Sequence, residues 1–306
     1  MRILRGLHHP HALPGPGCAL TIGNFDGVHR GLRSCVMSFE PHPRDYFANR
    51  AGMPDQAPTR IATLRDKLGE LARCGVDDVV ILRFDQALAS LSAEDFIQQM
   101  LIDRLNARYV LVGDDFRFGA KRAGDYALLD AAGAKLGFDV ARMMSYEVHG
   151  LRVSSSAVRE ALDSGDMERA ATLLGRPYAI SGHVVHGKKL GRELGFRTLN
   201  LRFPFKRPAA HGIFVVRVHG LGGVALPGVA SLGVRPTVED AGRVLLETHC
   251  LDWPNTFGPE AGYGELISVE LLHKLHDERR YESLDALRAA IAQDETDARA
   301  WFKANG

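Results

Sequence analysis

The sequence predicts an α/β domain built on a parallel sheet, followed by an antiparallel β-barrel or sandwich that closes with a helix. Two changes of pattern carry this reading. In the first half, short apolar runs alternate with amphipathic stretches at helical spacing, the signature of strands joined by helices. From about Tyr178 the apolar runs are separated only by turns bearing Gly and Pro, which favours antiparallel strands. After Ser283 the spacing turns helical again.

Taken in order, the runs Ala19-Leu20-Thr21-Ile22, Cys35-Val36-Met37-Ser38-Phe39, Val79-Val80-Ile81-Leu82 and Tyr109-Val110-Leu111-Val112 read as buried strands. Between them, Leu64, Leu68, Leu71 and Ala72 repeat at helical spacing. Ser92 with Asp95 three residues on resembles a capping box for a helix through Phe96, Ile97, Met100 and Leu101. The second half offers Val184-Val185, residues 213–218, 244–248 and 267–272 as strands, with no helix among them. Ser283 caps a last helix through Leu284, Leu287 and Ile291 towards Trp301. The boundary is placed near Arg176-Pro177, giving domains 1–176 and 177–306.

Bulk properties exclude several classes. With 45% hydrophobic and 25% charged residues the chain is ordinary globular material rather than disordered. A formal charge of +1 gives no electrostatic case for nucleic acid or a membrane surface as partner, and leaves small phosphate-bearing molecules, which need only local positive charge. Cys18, Cys35, Cys74 and Cys250 are scattered without metal-ligand spacing and read as reduced thiols. The N-terminus has no continuous apolar core of a signal peptide, and no run approaches the roughly 20 residues that span a bilayer. The expectation is a soluble cytoplasmic protein.

Directly after the first strand comes GNFDGVHRG, residues 23–31. Its glycines let backbone approach a phosphate, and His29 could stabilise charge developing there. The plainer explanation is a strand-ending turn. Two further segments favour a site: VGDDFRFG, residues 112–119, follows a later strand, and Ser154-Ser155-Ser156 opens a helix whose first turn carries Arg159. Such a helix start offers hydroxyls, N–H groups and a guanidinium to an anion, although the serines equally serve as a plain cap. These three segments resemble the signatures of the FMN adenylyltransferase module of bacterial FAD synthetases, a Rossmann-like member of the nucleotidyltransferase superfamily with an HxGH motif. The resemblance implies that His29 contacts ATP phosphates. It also implies that Gly23, Phe25, Asp26, Gly27, Asp115, Ser154, Ser155 and Arg159 bind nucleotide or FMN. Residues 39–43, FEPHP, also look like a family segment, without an assigned role. The chain departs at Leu32, where the family's second histidine belongs. Only ten residues, 24–33, separate the loop's first glycine from Ser34, too few for a right-handed crossover with a helix. A helical segment with that histidine is expected here and is missing, either disordered or truly deleted, and a true deletion would badly impair adenylyl transfer.

The second cluster begins at residues 182–189, GHVVHGKK, which nearly spells a phosphate-binding P-loop. Lys189 stands where Ser or Thr would hold Mg²⁺, and Gly191 and Gly195 break any following helix, so the P-loop fold is rejected while a glycine-rich ATP loop survives. Thr198 and Asn200 are two apart and share one face of a strand, where hydroxyl and amide oxygens could hold Mg²⁺. Alone, an exposed polar strand face explains such a pair better. Glu247 sits within Val244-Leu245-Leu246-Glu247-Thr248 and could act as base on a primary hydroxyl, or simply face outward.

The string GHVVHGKKLGRELGFRTLNL with GVASLGVRPT (residues 228–237) and ETHCLD (247–252) is very similar to riboflavin kinase. It implies a kinase barrel in which Thr198 and Asn200 bind Mg²⁺ and phosphate, Glu247 deprotonates the ribityl hydroxyl, and Gly187, Gly191 and Arg192 form the ATP loop. Arg197 stands where the family usually has proline, loosening the constraint on Thr198, and His276 stands where many relatives carry an arginine near the flavin. The implied activities are ATP-dependent phosphorylation of riboflavin to FMN and adenylylation of FMN to FAD, with ATP, riboflavin and FMN as substrates, FMN and FAD as products, and Mg²⁺ as cofactor. Two alternatives stay open: a kinase with a silent N-terminal half, and a non-catalytic flavin-binding regulatory protein.

Overall fold

A computed structural model describes residues 1–5, 17–22, 32–143, 147–187, 196–234, 244–254, 257–258 and 260–305. The described strands are β1 Arg2–Arg5, β2 Cys18–Ile22, β3 Arg33–Glu40, β4 Asp78–Arg83, β5 Ala107–Gly113, β6 Asp139–Met143, β7 Glu147–Val148, β8 Leu151–Arg152, β9 Tyr178–Val185, β10 Thr198–Phe203, β11 Gly212–His219, β12 Leu226–Val234, β13 Val244–Cys250 and β14 Leu266–His276. The helices are α1 Pro43–Arg50, α2 Leu64–Arg73, α3 Gln86–Ala89, α4 Ala93–Phe96, α5 Tyr126–Leu136, α6 Ser155–Ser164, α7 Met167–Leu174 and α8 Leu284–Asn305. The chain divides into two compact units, residues 1–58 with 68–145, and residues 59–67 with 146–306.

The first unit is a six-stranded sheet in the order β1-β4-β3-β2-β5-β6, parallel throughout. Its central strands are apolar on both faces, as buried parallel strands must be: Leu20, Cys35, Val36, Met37, Val79, Val110 and Val112 are all buried. The order reverses between β2 and β5, so the carboxyl ends of these two strands, at Ile22 and Gly113, lie side by side at a topological switch point. The neighbours β2 and β3 pair in unbroken register from Cys18↔Arg33 to Ile22↔Met37, although only residues 23–32 join them. Ser92 caps α4 as expected, its hydroxyl accepting from the Asp95 N–H at 3.0 Å. Beyond α4 the helix loosens into a π-helical stretch, Ile97–Arg104.

The second unit is a closed antiparallel barrel, β10-β13-β12-β11-β14-β9. Alternation decides which residues fill it: Leu199, Leu201 and Phe203 of β10 and Val244, Leu246 and Cys250 of β13 point inward to one core, and the residues between them point outward. Helices α6 and α7 belong to this unit and extend its core with Val158, Ala161, Leu162, Met167, Ala170 and Leu173, spaced three or four apart. The sequence sets Ser154-Ser155-Ser156 ahead of this helix, and the structure begins it at Ser155, with Ser154 as N-cap. Segment 59–67 is bound in as well, through Asp66, which accepts from the Ser181 N–H at 3.1 Å. Ser283 caps α8, as its position foretells, by accepting from the Ala286 N–H at 3.1 Å.

The parallel sheet carries one fully buried charge. Asp78 accepts from Arg2 Nε at 2.7 Å and Arg33 Nε at 2.9 Å, tying β1 and β3 to the start of β4. Burial pushes its carboxyl up, and the bonds and charges of the two guanidiniums outweigh that and bring it below its ordinary value. The stabilisation is therefore complete above the unfolded carboxylate range, about pH 4, and disappears as pH falls through the lower folded value. Asp78→Ala is expected to lower the unfolding free energy at neutral pH by about 2 kcal/mol in urea titrations, with a smaller further loss on acidification than the wild type shows.

Candidate functional site

The barrel register sets the chemistry-bearing residues face to face. In the β10–β13 pair, Asn200 lies directly opposite Glu247 and Thr198 opposite His249. Because side chains alternate, these four share the outer face of the barrel, away from Leu199, Leu201, Leu246 and Cys250. Across the next pair, Ser231 of β12 lies opposite Glu247 and Val229 opposite His249. Sequence separation had hidden this: the two parts of the site are some fifty residues apart.

Asn200 is buried although it faces outward. Gly187, just beyond β9, approaches it so closely that a Cβ on Gly187 would lie 2.6 Å from Asn200 Nδ2. The Asn200 Oδ1 is buried, and among the described residues it has no hydrogen-bond partner. An orphaned buried amide oxygen is costly unless something absent from the protein chain fills it, and oxygen donors are what a hard divalent cation takes. Among the described residues no cluster of three or more His, Cys, Asp or Glu side chains could hold a metal. Thr198 and Asn200 instead offer a hydroxyl and an amide oxygen, donors that suit a hard cation such as Mg²⁺ rather than a softer metal.

One residue beside this face escaped the sequence reading, and a second was read there only for the proline it replaces. His249 Nδ1 lies 2.7 Å from the Arg197 carbonyl, and its Nε2 lies 2.6 Å from Glu295 Oε1 on α8. Its position two residues after Glu247 on a strand was the available signal, whereas its helical partner is far along the chain. Arg197 is the second. Its guanidinium donates to the Gly258 and Ala261 carbonyls and stacks 4.1 Å over the Trp253 ring. The constraint that proline would give to this peptide is thus supplied by another route. His276, the other departure, has both ring nitrogens engaged, with the Asp277 carbonyl at 2.7 Å and Asp294 at 2.8 Å.

The remaining expectations divide. Asp115 is exposed beyond β5 in the parallel-sheet unit, and Ser154, Ser155 and Arg159 stand at the start of α6 in the other unit. Ser154 accepts from the Ala157 N–H at 3.1 Å, so it caps the helix. Arg159 does not point its donors freely outward: Nε donates to the Thr59 carbonyl at 2.7 Å and Nη1 to the Ser155 carbonyl at 3.1 Å. Gly23, Phe25, Asp26, Gly27, His29, Gly191 and Arg192 lie outside the described residues.

Comparison with known proteins is concordant over the whole length. A family model described as FAD synthetase matches residues 30–157, and one described as riboflavin kinase matches residues 174–302. A bifunctional riboflavin kinase/FMN adenylyltransferase of Escherichia coli (strain K12) is 45% identical over 318 residues, covering 99% of this chain and 98% of its own. The protein of that description from Pseudomonas fluorescens is 42% identical, covering 98% and 97%. A crystal structure described as a macrolide-efflux protein from Streptococcus pneumoniae superposes with a TM-score of 0.74 at 25% identity, covering 98% of this chain and 100% of that one. Among the described residues, no helix is long and apolar enough to cross a membrane.

Gly187→Ala is expected to displace the Asn200 amide without disturbing the barrel. Its thermal midpoint should stay near that of the wild type, while affinity for MgADP, measured by calorimetry, falls roughly tenfold, or about 1.4 kcal/mol.

Proposed function

The chain belongs to the family of bifunctional riboflavin kinase/FMN adenylyltransferases, and from that premise we propose that it makes both flavin cofactors: FMN from riboflavin and ATP on the barrel, and FAD from FMN and ATP, with release of pyrophosphate, on the parallel-sheet side. The observation that carries the kinase assignment is the shared face of Thr198, Asn200 and Glu247 with Gly187 against the Asn200 amide.

In the kinase reaction, Glu247 accepts the proton of the primary ribityl hydroxyl as that oxygen attacks the γ-phosphorus of ATP. Thr198 and Asn200 would hold Mg²⁺, the orphaned Asn200 Oδ1 being a natural ligand atom. When bound, the ion neutralises phosphate charge and orients the leaving group. Gly187, with Gly191 and Arg192, lets backbone approach the phosphates. Glu247 and Asn200 sit opposite each other on one antiparallel pair, so base and metal ligand are fixed by backbone hydrogen bonds rather than by flexible side chains.

In the adenylyl transfer, the FMN phosphate attacks the α-phosphorus of ATP. His29, with Gly23, Phe25, Asp26 and Gly27, would bind that ATP, as would Asp115 beyond β5; Ser154, Ser155 and Arg159, proposed from the family resemblance as nucleotide or FMN contacts, belong to the other unit. The domains are 1–176 for adenylyl transfer and 177–306 for phosphorylation, although α6 and α7 pack with the barrel. A cytoplasmic location accords with four free cysteines and with small molecules as the only partners the chemistry needs.

A second reading, a kinase whose N-terminal half is silent, is favoured by one feature. Residues 23–32 alone join β2 to β3, Leu32 stands at the second histidine position, and the relatives align over 318 residues against the 306 of this chain, so they hold residues where this chain has none. A chromatographic time course with riboflavin, ATP and Mg²⁺ separates the readings. FMN followed by FAD is the expected result, FMN alone assigns the chain to the second reading, and flavin binding without either product would overturn both. In the same assay Glu247→Gln should lower kcat by about 10²- to 10⁴-fold with little change in the KM for riboflavin.

A further inference from the structure

We infer that His249 is a positioning residue of the kinase site, bridging Glu295 of the C-terminal helix to the Arg197 peptide from which Thr198 is presented. The inference rests on Thr198 and Asn200 being the metal-holding pair.

The chemistry of the bridge is directional. A carbonyl only accepts, so His249 Nδ1 carries the hydrogen bonded to Arg197 O, and a proton lies between Nε2 and the Glu295 carboxylate at the other side of the ring. The ring is three-quarters or more shielded and meets Phe196 edge-on, 5.6 Å between centroids. Arg197 is thereby fixed at two points. Its carbonyl is bonded by His249 of β13, and its guanidinium is bonded to the Gly258 and Ala261 carbonyls over Trp253 in the β13–β14 connection.

That carbonyl belongs to the peptide bond whose nitrogen is Thr198's own. Holding it fixes the rotation of the peptide at the mouth of β10, and so the direction in which the Thr198 hydroxyl points. The backbone pairing of Asn200 with Val185 and Glu247 fixes the other ligand without such help. Thr198 opens the strand and depends on its neighbour.

The other end of the bridge is anchored firmly. On α8, Asp294 is bonded to His276 at 2.8 Å, Arg299 donates to Asp252 and to the Leu251 carbonyl, each at 2.9 Å, and Ala298 packs with Val215 and Val229. The helix is thus clamped to β14 and to the residues just beyond β13 on both sides of Glu295. Its position reaches the metal-holding strand through one imidazole. Partners that orient a ligand from behind in this way commonly change metal affinity by about 10- to 100-fold.

The test uses the full chain with His249→Ala, Glu295→Ala, Glu295→Gln and, as reference, Asn200→Ala. MgADP affinity is read by calorimetry, thermal midpoint by circular dichroism, and the Mg²⁺ half-saturation of FMN formation by chromatography. His249→Ala and Glu295→Ala should weaken MgADP and raise the Mg²⁺ requirement roughly tenfold, leaving the KM for riboflavin near wild type. Glu295→Gln should restore both, because a carboxamide N–H can donate to Nε2 while Nδ1 still donates to Arg197. If His249→Ala and Glu295→Ala lose only thermal stability and bind MgADP as the wild type does, while Asn200→Ala binds it weakly, the bridge is merely structural and the inference fails with the site intact. Should Asn200→Ala also bind MgADP normally, the metal assignment itself is wrong. Were His249→Ala not to fold, the Glu295 pair decides: equal affinity in Glu295→Ala and Glu295→Gln overturns the proposal.

Discussion

The pairing of β10 with β13 is the constraint on which the kinase half depends. It sets Asn200 against Glu247 and Thr198 against His249, and a slip of β10 by one residue would turn Thr198 and Asn200 into the core and Leu199 and Leu201 out of it. Register here is secured by the barrel core rather than by the site: apart from the buried Thr248, each inward residue of the two strands is apolar, so the core enforces the alternation that the outer face uses. Closure of the barrel removes free edges and leaves no neighbouring register to sample. Polar residues that gain nothing from burial are thus held by residues that gain a great deal.

The outer face is not a uniformly wet surface. Gly187 presses on Asn200 from one side, and α8 covers the Val229 end with Ala298, Trp301 and Phe302. Between these lies a short strip of donors and acceptors, with Glu295 on His249 and Glu278 on Ser231. The parallel sheet uses a different economy. Its structural charge, Asp78 with Arg2 and Arg33, lies at the amino ends of its strands, away from the carboxyl ends of β2 and β5.

Much of this was legible from the residues in order. Both fold classes followed from periodicity, and the Thr198–Asn200 pairing on one strand face followed from spacing alone. The capping serines, Ser92 and Ser283, were readable because a cap is a local interaction. What escaped was non-local. His249 has an unremarkable place in a strand until Glu295 comes against it, and Arg197 looked like the loss of a constraint because its partners lie in a loop some sixty residues on. The grouping of α6 and α7 with the barrel was hidden for the same reason: their apolar spacing says that they bury a face, not which core receives it. The short edge strand β1 has too few residues for any period to show.

The return of residues 59–67 to the barrel unit has a consequence for how the chain is made. Ile61 packs on the barrel core, and Asp66 bonds to Ser181, a residue that leaves the ribosome 115 positions later. The sheet-forming residues between them must be synthesised before this early strap can find its place, so the barrel has a long loop to close and a high contact order despite its local hairpins. The two units are interleaved in sequence rather than strung in tandem. Genetic separation at a single point would leave the strap with the wrong partner, which binds the two catalytic halves into one inherited piece more firmly than a linker could.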